Sequence, residues 1–171
     1  MTWKLAEYPA KLMAAYIEDS QAAKLANIED RAEYADSPMP LPSFVAIRHH
    51  EPWRNPEAQY PMLYIRPIRS RLRPGPAGLA RGHIGQHDYM VAVICVASGG
   101  PGAAIDMVQR YMVALMEMIA EYFDADAGRT IEWGMVNDTE ILYEPLETNG
   151  VGEFAADARM LITAQVSEGA L

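Results

Sequence analysis

His87-Asp88-Tyr89-Met90-Val91-Ala92-Val93-Ile94-Cys95-Val96-Ala97 is the stretch that decides the fold. After Asp88 it is apolar at successive positions, so both faces of a strand here need cover. That marks a central strand, not one with a wet face. Ser98-Gly99-Gly100-Pro101-Gly102 then breaks the run and predicts a turn. A helix is predicted over Ala103 to Phe123, where Ile105, Val108, Met112, Leu115, Ile119 and Tyr122 recur at spacings of three and four. Met107, Tyr111, Met118 and Phe123 widen that stripe past half the circumference. A helix so apolar is expected to pack on the sheet and on a second surface as well.

Toward the C-terminus, Thr130 to Val136 is a candidate strand around Ile131 and Trp133. Asn137-Asp138 turns the chain into a second candidate, Thr139 to Pro145. The final strand alternates over a long distance. Phe154, Ala156, Ala158, Met160, Ile162, Ala164 and Val166 share one side, while Asp157, Arg159, Thr163 and Gln165 share the other.

Toward the N-terminus, residues 5–34 read as a helical segment on the spacing of Leu5, Tyr8, Leu12 and Tyr16 with Met13 and Ile17. Pro9 places the regular start near itself, and Asp19-Ser20 is a candidate break. Ser37 to Pro42 stops the helix with three prolines. Two short strands are predicted next, Ser43 to His49 and Pro61 to Pro67. Proline bounds the second, which suits a strand near an edge.

Residues 66–86 are the least ordinary part. Arg66, Arg69, Arg71, Arg73 and Arg81 share this segment with four glycines and three prolines. The alternation Ile68-Arg69-Ser70-Arg71-Leu72-Arg73 predicts an exposed ribbon that extends the preceding strand, and the rest reads as a long projecting loop. From Phe44 to His87 there are seven arginines against two acids, a net +5. The chain as a whole carries −9, so the remainder carries −14. An acidic body excludes general coating of nucleic acid, which needs a broad basic face. The arginines have three readings: pairing with an acidic face of a neighbouring subunit, contact with DNA or another polyanion, and plain solvation.

No catalytic constellation stands out. His49, His50, Glu51, His83 and His87 have ligand chemistry suited to zinc. Yet His49 and His50 point to opposite faces of a strand. The four-residue spacing of His83 and His87 serves a metal only on a helix, which Gly82 and Gly85 oppose. The glycine turn at 98–102 matches neither the dinucleotide nor the P-loop pattern, and Pro101 removes a donor. Cys95, the single cysteine, lies in the most apolar strand and reads as a small buried hydrophobe. No apolar run reaches the roughly 18 residues of a membrane span. Met1-Thr2-Trp3-Lys4-Leu5 lacks a signal-peptide core, so intracellular synthesis is the expectation. Neither a catalytic residue, a metal nor a cofactor is expected, and the chain is read as a non-enzyme.

These segments give an α+β fold in one domain, residues 1–171. A mixed or mainly antiparallel sheet of about four to six strands packs against an N-terminal helix and a long central helix. The order of segments resembles the tail terminator and head–tail joining proteins of long-tailed bacteriophages. Its closest points are the Tyr60-Pro61 start of the second strand and the final strand Ala158 to Val166. The resemblance is one of layout and hydrophobic profile. It implies a structural virion protein, a homohexameric ring at the head-proximal end of a tail. Such a ring stops tail-tube polymerisation and joins tail to head connector. The implied partners are other copies of the chain, the tail tube protein and the head connector or neck protein. DNA or a tape-measure protein would lie in the lumen. The implied place is the virion at the tail–head junction, after synthesis in the host cytoplasm. A neck or head-completion protein is the neighbouring alternative. A small α/β ligand-binding or metal-dependent enzyme domain is the alternative from another class.

Overall fold

The computed structural model describes residues 2–31, 39, 45–47, 60–74, 83–97, 101–125, 131–135, 142–147 and 154–167. Two helices and a largely antiparallel sheet make up these residues, an α+β architecture as the sequence predicts. The elements are α1 (Thr2–Glu29), β1 (Val45–Ile47), β2 (Met62–Pro74), β3 (His83–Ala97), α2 (Pro101–Ala125), β4 (Ile131–Met135), β5 (Leu142–Glu147) and β6 (Phe154–Ser167).

Three long antiparallel strands, β2, β3 and β6, carry the sheet. The expected count of four to six is met only when the short strands are added. These are β1, parallel to β2 at one edge, and β4 and β5, which share the far edge of β6. The apolar β3 lies inside the sheet, between β2 and β6. Val91, Val93 and Cys95 are buried on the face toward the helices, and Ala92 and Ile94 are buried on the opposite face. Burying a side chain of this size contributes about 1.5–3 kcal/mol, so this strand is a main source of stability.

The alternation of β6 is realised as read. Ala156, Ala158, Met160, Ile162 and Ala164 are buried in the helix-side core. On the other face Asp157 is buried and accepts a 2.6 Å bond from Arg159 Nε, two residues along the same face. Two residues apart on one face is the spacing at which a strand lets neighbouring side chains meet.

The breadth of the apolar stripe on α2 has an internal explanation. One part faces the sheet and another faces α1. Tyr16 and Tyr122 meet with ring centroids 4.9 Å apart. Lys24 reaches Glu121 at 2.5 Å and Arg31 reaches Glu117 at 2.8 Å. Lys24 is held above the ordinary lysine pKa, chiefly by its hydrogen bond to Glu121. Met116 is the one large apolar side chain of α2 left substantially exposed among the described residues.

Helix α1 differs from its prediction in two ways. It starts at Thr2, well before Pro9, and it runs unbroken through Asp19-Ser20 to Glu29. Pro9 forfeits one intrahelical bond but is itself buried, and Ala6 before it and Ala10 after it are buried too. Ser20 Oγ donates to the Tyr16 carbonyl at 2.6 Å, so its hydroxyl is absorbed by the helix it was expected to interrupt. The Glu29 carboxylate accepts from the backbone N–H of Met39. Residues 32–34, the end of the predicted helical segment, lie outside the described residues.

Candidate functional site

Strands β2 and β3 form one continuous antiparallel ribbon, from Met62 opposite Ile94 to Pro74 opposite His83. Its two ends have different surroundings. From Met62 to Ile65 every β2 side chain is buried, whereas from Ile68 to Arg73 every one is exposed. The Tyr89 hydroxyl donates to the carbonyl of Ala6 at 2.7 Å, so the first turns of α1 lie over the junction. Strand β3 begins at His83, four residues before the sequence predicts. The polar, glycine-containing run His83 to Gln86 reads as loop by propensity. Pairing with β2 on one side and β6 on the other makes it strand.

A β-bulge sets the arginine geometry. Arg66 stands opposite Met90, but Arg69 stands opposite Asp88, so β2 spends one residue more than β3 between these pairs. A one-residue slip moves side chains to the other face. Arg66 is an even position and Arg69, Arg71 and Arg73 are odd. Without the bulge they would lie on opposite faces. With it, all four share the face of Met90 and Asp88, away from the helices.

The four are not equivalent. Arg66 is half-buried and already engaged within the chain. Arg69 donates from Nε to Asp88 Oδ2 at 2.7 Å, and its Nη2 lies 2.6 Å from the same oxygen. Thr163 Oγ1 donates to Asp88 Oδ1 at 3.1 Å, which ties β6 into the group. The Arg69 side chain is 56% exposed, so this pair is worth at most about 1 kcal/mol. Arg71 and Arg73 are exposed and have no acidic partner among the described residues. Arg81 lies outside the described residues.

The acidic counterweight is on the helices. Glu18 and Asp19 on α1, Asp30 just past its end, and Asp106 and Asp124 on α2 are exposed, while Lys24 and Arg31 are taken up by Glu117 and Glu121. Thus the described residues separate charge by layer: unpaired arginines at one end of the sheet, unpaired carboxylates on the helices.

The two described histidines do not converge. His83 and His87 stand four residues apart in an extended strand, about 13 Å along it. His49, His50 and Glu51 lie outside the described residues. No group of three or more potential metal ligands occurs among the described residues. His87 is buried on the helix-side face, with Nδ1 2.9 Å from Ser70 Oγ and no partner for Nε2. Burial lowers its pKa below the usual histidine value, against a smaller opposite pull from the Asp88 charge. Burial also pushes the Cys95 thiol pKa up, so the reactive thiolate is disfavoured there. No helix among the described residues is long and apolar enough to cross a membrane.

No protein-family model matches this chain, and no curated protein matches it.

Proposed function

We propose that this chain is a structural virion protein that assembles as a ring, hexameric when complete, at the head-proximal end of a phage tail. There it ends tube growth and joins the tail to the head connector. The observation that carries the reading is the ribbon beyond Tyr89. Strand β2 is buried on both faces from Met62 to Ile65, yet every β2 side chain from Ile68 to Arg73 is exposed. That stretch holds Arg71 and Arg73, which have no acidic partner among the described residues. Such donors suit carboxylates or phosphates supplied from outside the subunit. The unequal charge of ribbon and helix layer suits a heterologous, head-to-tail contact, which closes into a ring when the rotation permits. The mechanism is geometric. One ring surface seats on the last tube ring, and the other offers no further site for a tube subunit.

The test is the mass of the purified chain across a concentration series by light scattering, with electron micrographs of the largest species. Closed rings, and location of the protein at the tail–head junction of intact particles, are the expected results. A monomer that takes up stoichiometric zinc, or a particle in which the chain touches no copy of itself, refutes the reading.

A further inference from the structure

His87 is a titratable group sealed in the interior with half of its hydrogen bonding unmet. It is 0% exposed, its Nδ1 lies 2.9 Å from Ser70 Oγ, and its Nε2 has no partner. A neutral imidazole tolerates this at moderate cost, because one nitrogen stays an acceptor. An imidazolium does not, since both nitrogens then carry hydrogens and each needs an acceptor. Ser70 Oγ can accept one of them. The other is then a charged donor enclosed without an acceptor, which is far less favourable than a neutral group in the same place.

The groups around the ring decide whether the interior can supply a counterion. On β3, Asp88 is adjacent but projects to the opposite face, where Arg69 holds it at 2.7 Å and Thr163 at 3.1 Å. Asp88 is the one charged group among the described residues with an appreciable pull on His87, and burial, which disfavours the charged ring, outweighs it. On β2 the contact is Ser70, which is uncharged, while Arg69 and Arg71 stand on the opposite face. On β6 the residue opposite is Ala164, with Trp133 of β4 beyond it in the same row. Tyr89, with its ring centroid 6.5 Å away, has its hydroxyl on the Ala6 carbonyl of α1. On the same helix Glu7 and Lys11 pair with each other at 3.7 Å. Among the described residues no carboxylate bonds to the ring.

Water is the remaining source of an acceptor, and the ring has one short path to it. Leaving past Tyr89 or Ala164 disturbs the buried core. On the β2 side the neighbour is a strand whose side chains from Ile68 to Arg73 are all exposed, so parting it from β3 gives up little burial. We infer that His87 is an acid-sensitive latch on the arginine-bearing half of β2: neutral, it holds Ser70 and residues 68–74 against β3, and protonated, it releases that segment while the rest of the sheet stays folded. Release also parts Arg69 from Asp88, so the row of Arg69, Arg71 and Arg73 is fixed above the transition and free to move below it. The bulge at Pro67/Arg69 marks where release stops, because Met62 to Ile65 beyond it are buried. The latch lies within one subunit, so it stands or falls separately from the ring reading.

The experiment is amide hydrogen exchange of the dilute full chain at about pH 7.5 and about pH 5.5, corrected for the intrinsic pH dependence of exchange, with the His87 ring followed by NMR over the same range. Amides of residues 68–74 that bond to β3 should lose protection several-fold, at most about tenfold, because a pH one unit below the open-state value near 6.5 favours opening by that factor. Those of Met62 to Ile65 should keep theirs, and the ring signal should move in step with the loss. His87→Gln retains a donor for Ser70 without taking a charge and should abolish the pH dependence, whereas Arg69→Ser should leave it in place. Protection of residues 68–74 that does not change with pH overturns the latch, whether or not the ring titrates. Equal loss in both halves of β2 is global unfolding and also overturns it. So does a pH dependence that survives His87→Gln or vanishes in Arg69→Ser. If His87→Gln does not fold, the parent chain decides alone, by whether ring and ribbon change together.

Discussion

The same two strands, β2 and β3, behave as core at one end and as surface at the other. Between Met62 and Ile65, opposite Val91 to Ile94, the ribbon is buried on both faces. Between Arg69 and Arg73, opposite Ile84 to Asp88, the β2 side chains are exposed and mostly polar, held by backbone bonds and one surface ion pair, while His87 on β3 remains buried. The switch takes place over the bulge at Pro67/Arg69 and under the first turns of α1. Stability and recognition are therefore assigned to different lengths of one hairpin. The buried end secures the register, and the exposed end inherits it without having to generate any core of its own.

The largest expected break of this contrast is in the core. Leu115 lies 1% exposed between the layers, and Leu115→Ala should cost about 2–5 kcal/mol in chemical denaturation. Leu72→Ala, at a position 39% exposed in the ribbon, should cost under about 0.5 kcal/mol. Similar losses at both sites would erase the distinction between the two ends.

A smaller effect is expected at the buried carboxylate. Arg159→Ala removes the 2.6 Å donor to Asp157, which is fully buried, and should cost about 1–3 kcal/mol. Restoring a donor with Arg159→Lys should recover part of that loss.

His87 sharpens the boundary by pH. Its folded pKa lies below the unfolded value near 6.5, so the unfolded chain binds the proton more readily. Its contribution to stability is complete above that value and is lost as pH falls toward the folded pKa. Urea midpoints should therefore drop between about pH 7 and pH 5. His87→Gln should flatten that part of the profile, and an unchanged slope would mean that His87 is not held neutral.

The smallest effect on folding is expected from the arginines. Arg71→Ser and Arg73→Ser should each alter stability by less than about 0.5 kcal/mol. Arg69→Ser, which breaks the exposed pair with Asp88, should cost at most about 1 kcal/mol. The triple variant should nonetheless assemble poorly or change what passes through the ring. A triple variant that assembles, joins heads and delivers DNA like the parent would show the ribbon to be merely solvated.

Where one physical signal dominated, the sequence was readable. Val91 to Cys95 lack any polar residue, which suffices to place them inside a sheet. The three-and-four spacing of α2 and the alternation of β6 are equally direct. What was hidden depended on partners distant in sequence. His83 to Gln86 became strand because β2 and β6 flank it. The bulge that aligns Arg66 with Arg69, Arg71 and Arg73 leaves no mark in an alternating pattern. The breadth of the apolar stripe on α2 called for a second surface without naming it, and α1 supplies much of it. Arg69 looked as free as Arg71 until Asp88 came opposite it.

Hydrogen exchange along β2 tests the central claim most directly, comparing dilute chain with concentrated, assembled chain. In dilute chain, the Met62 to Ile65 amides should be protected and the outward-facing amides between Arg66 and Pro74 should exchange quickly. On assembly into rings the second group should become protected, while the first stays unchanged. Protection of Arg66 to Pro74 already complete in the dilute chain, or no gain there when rings form, would contradict the account.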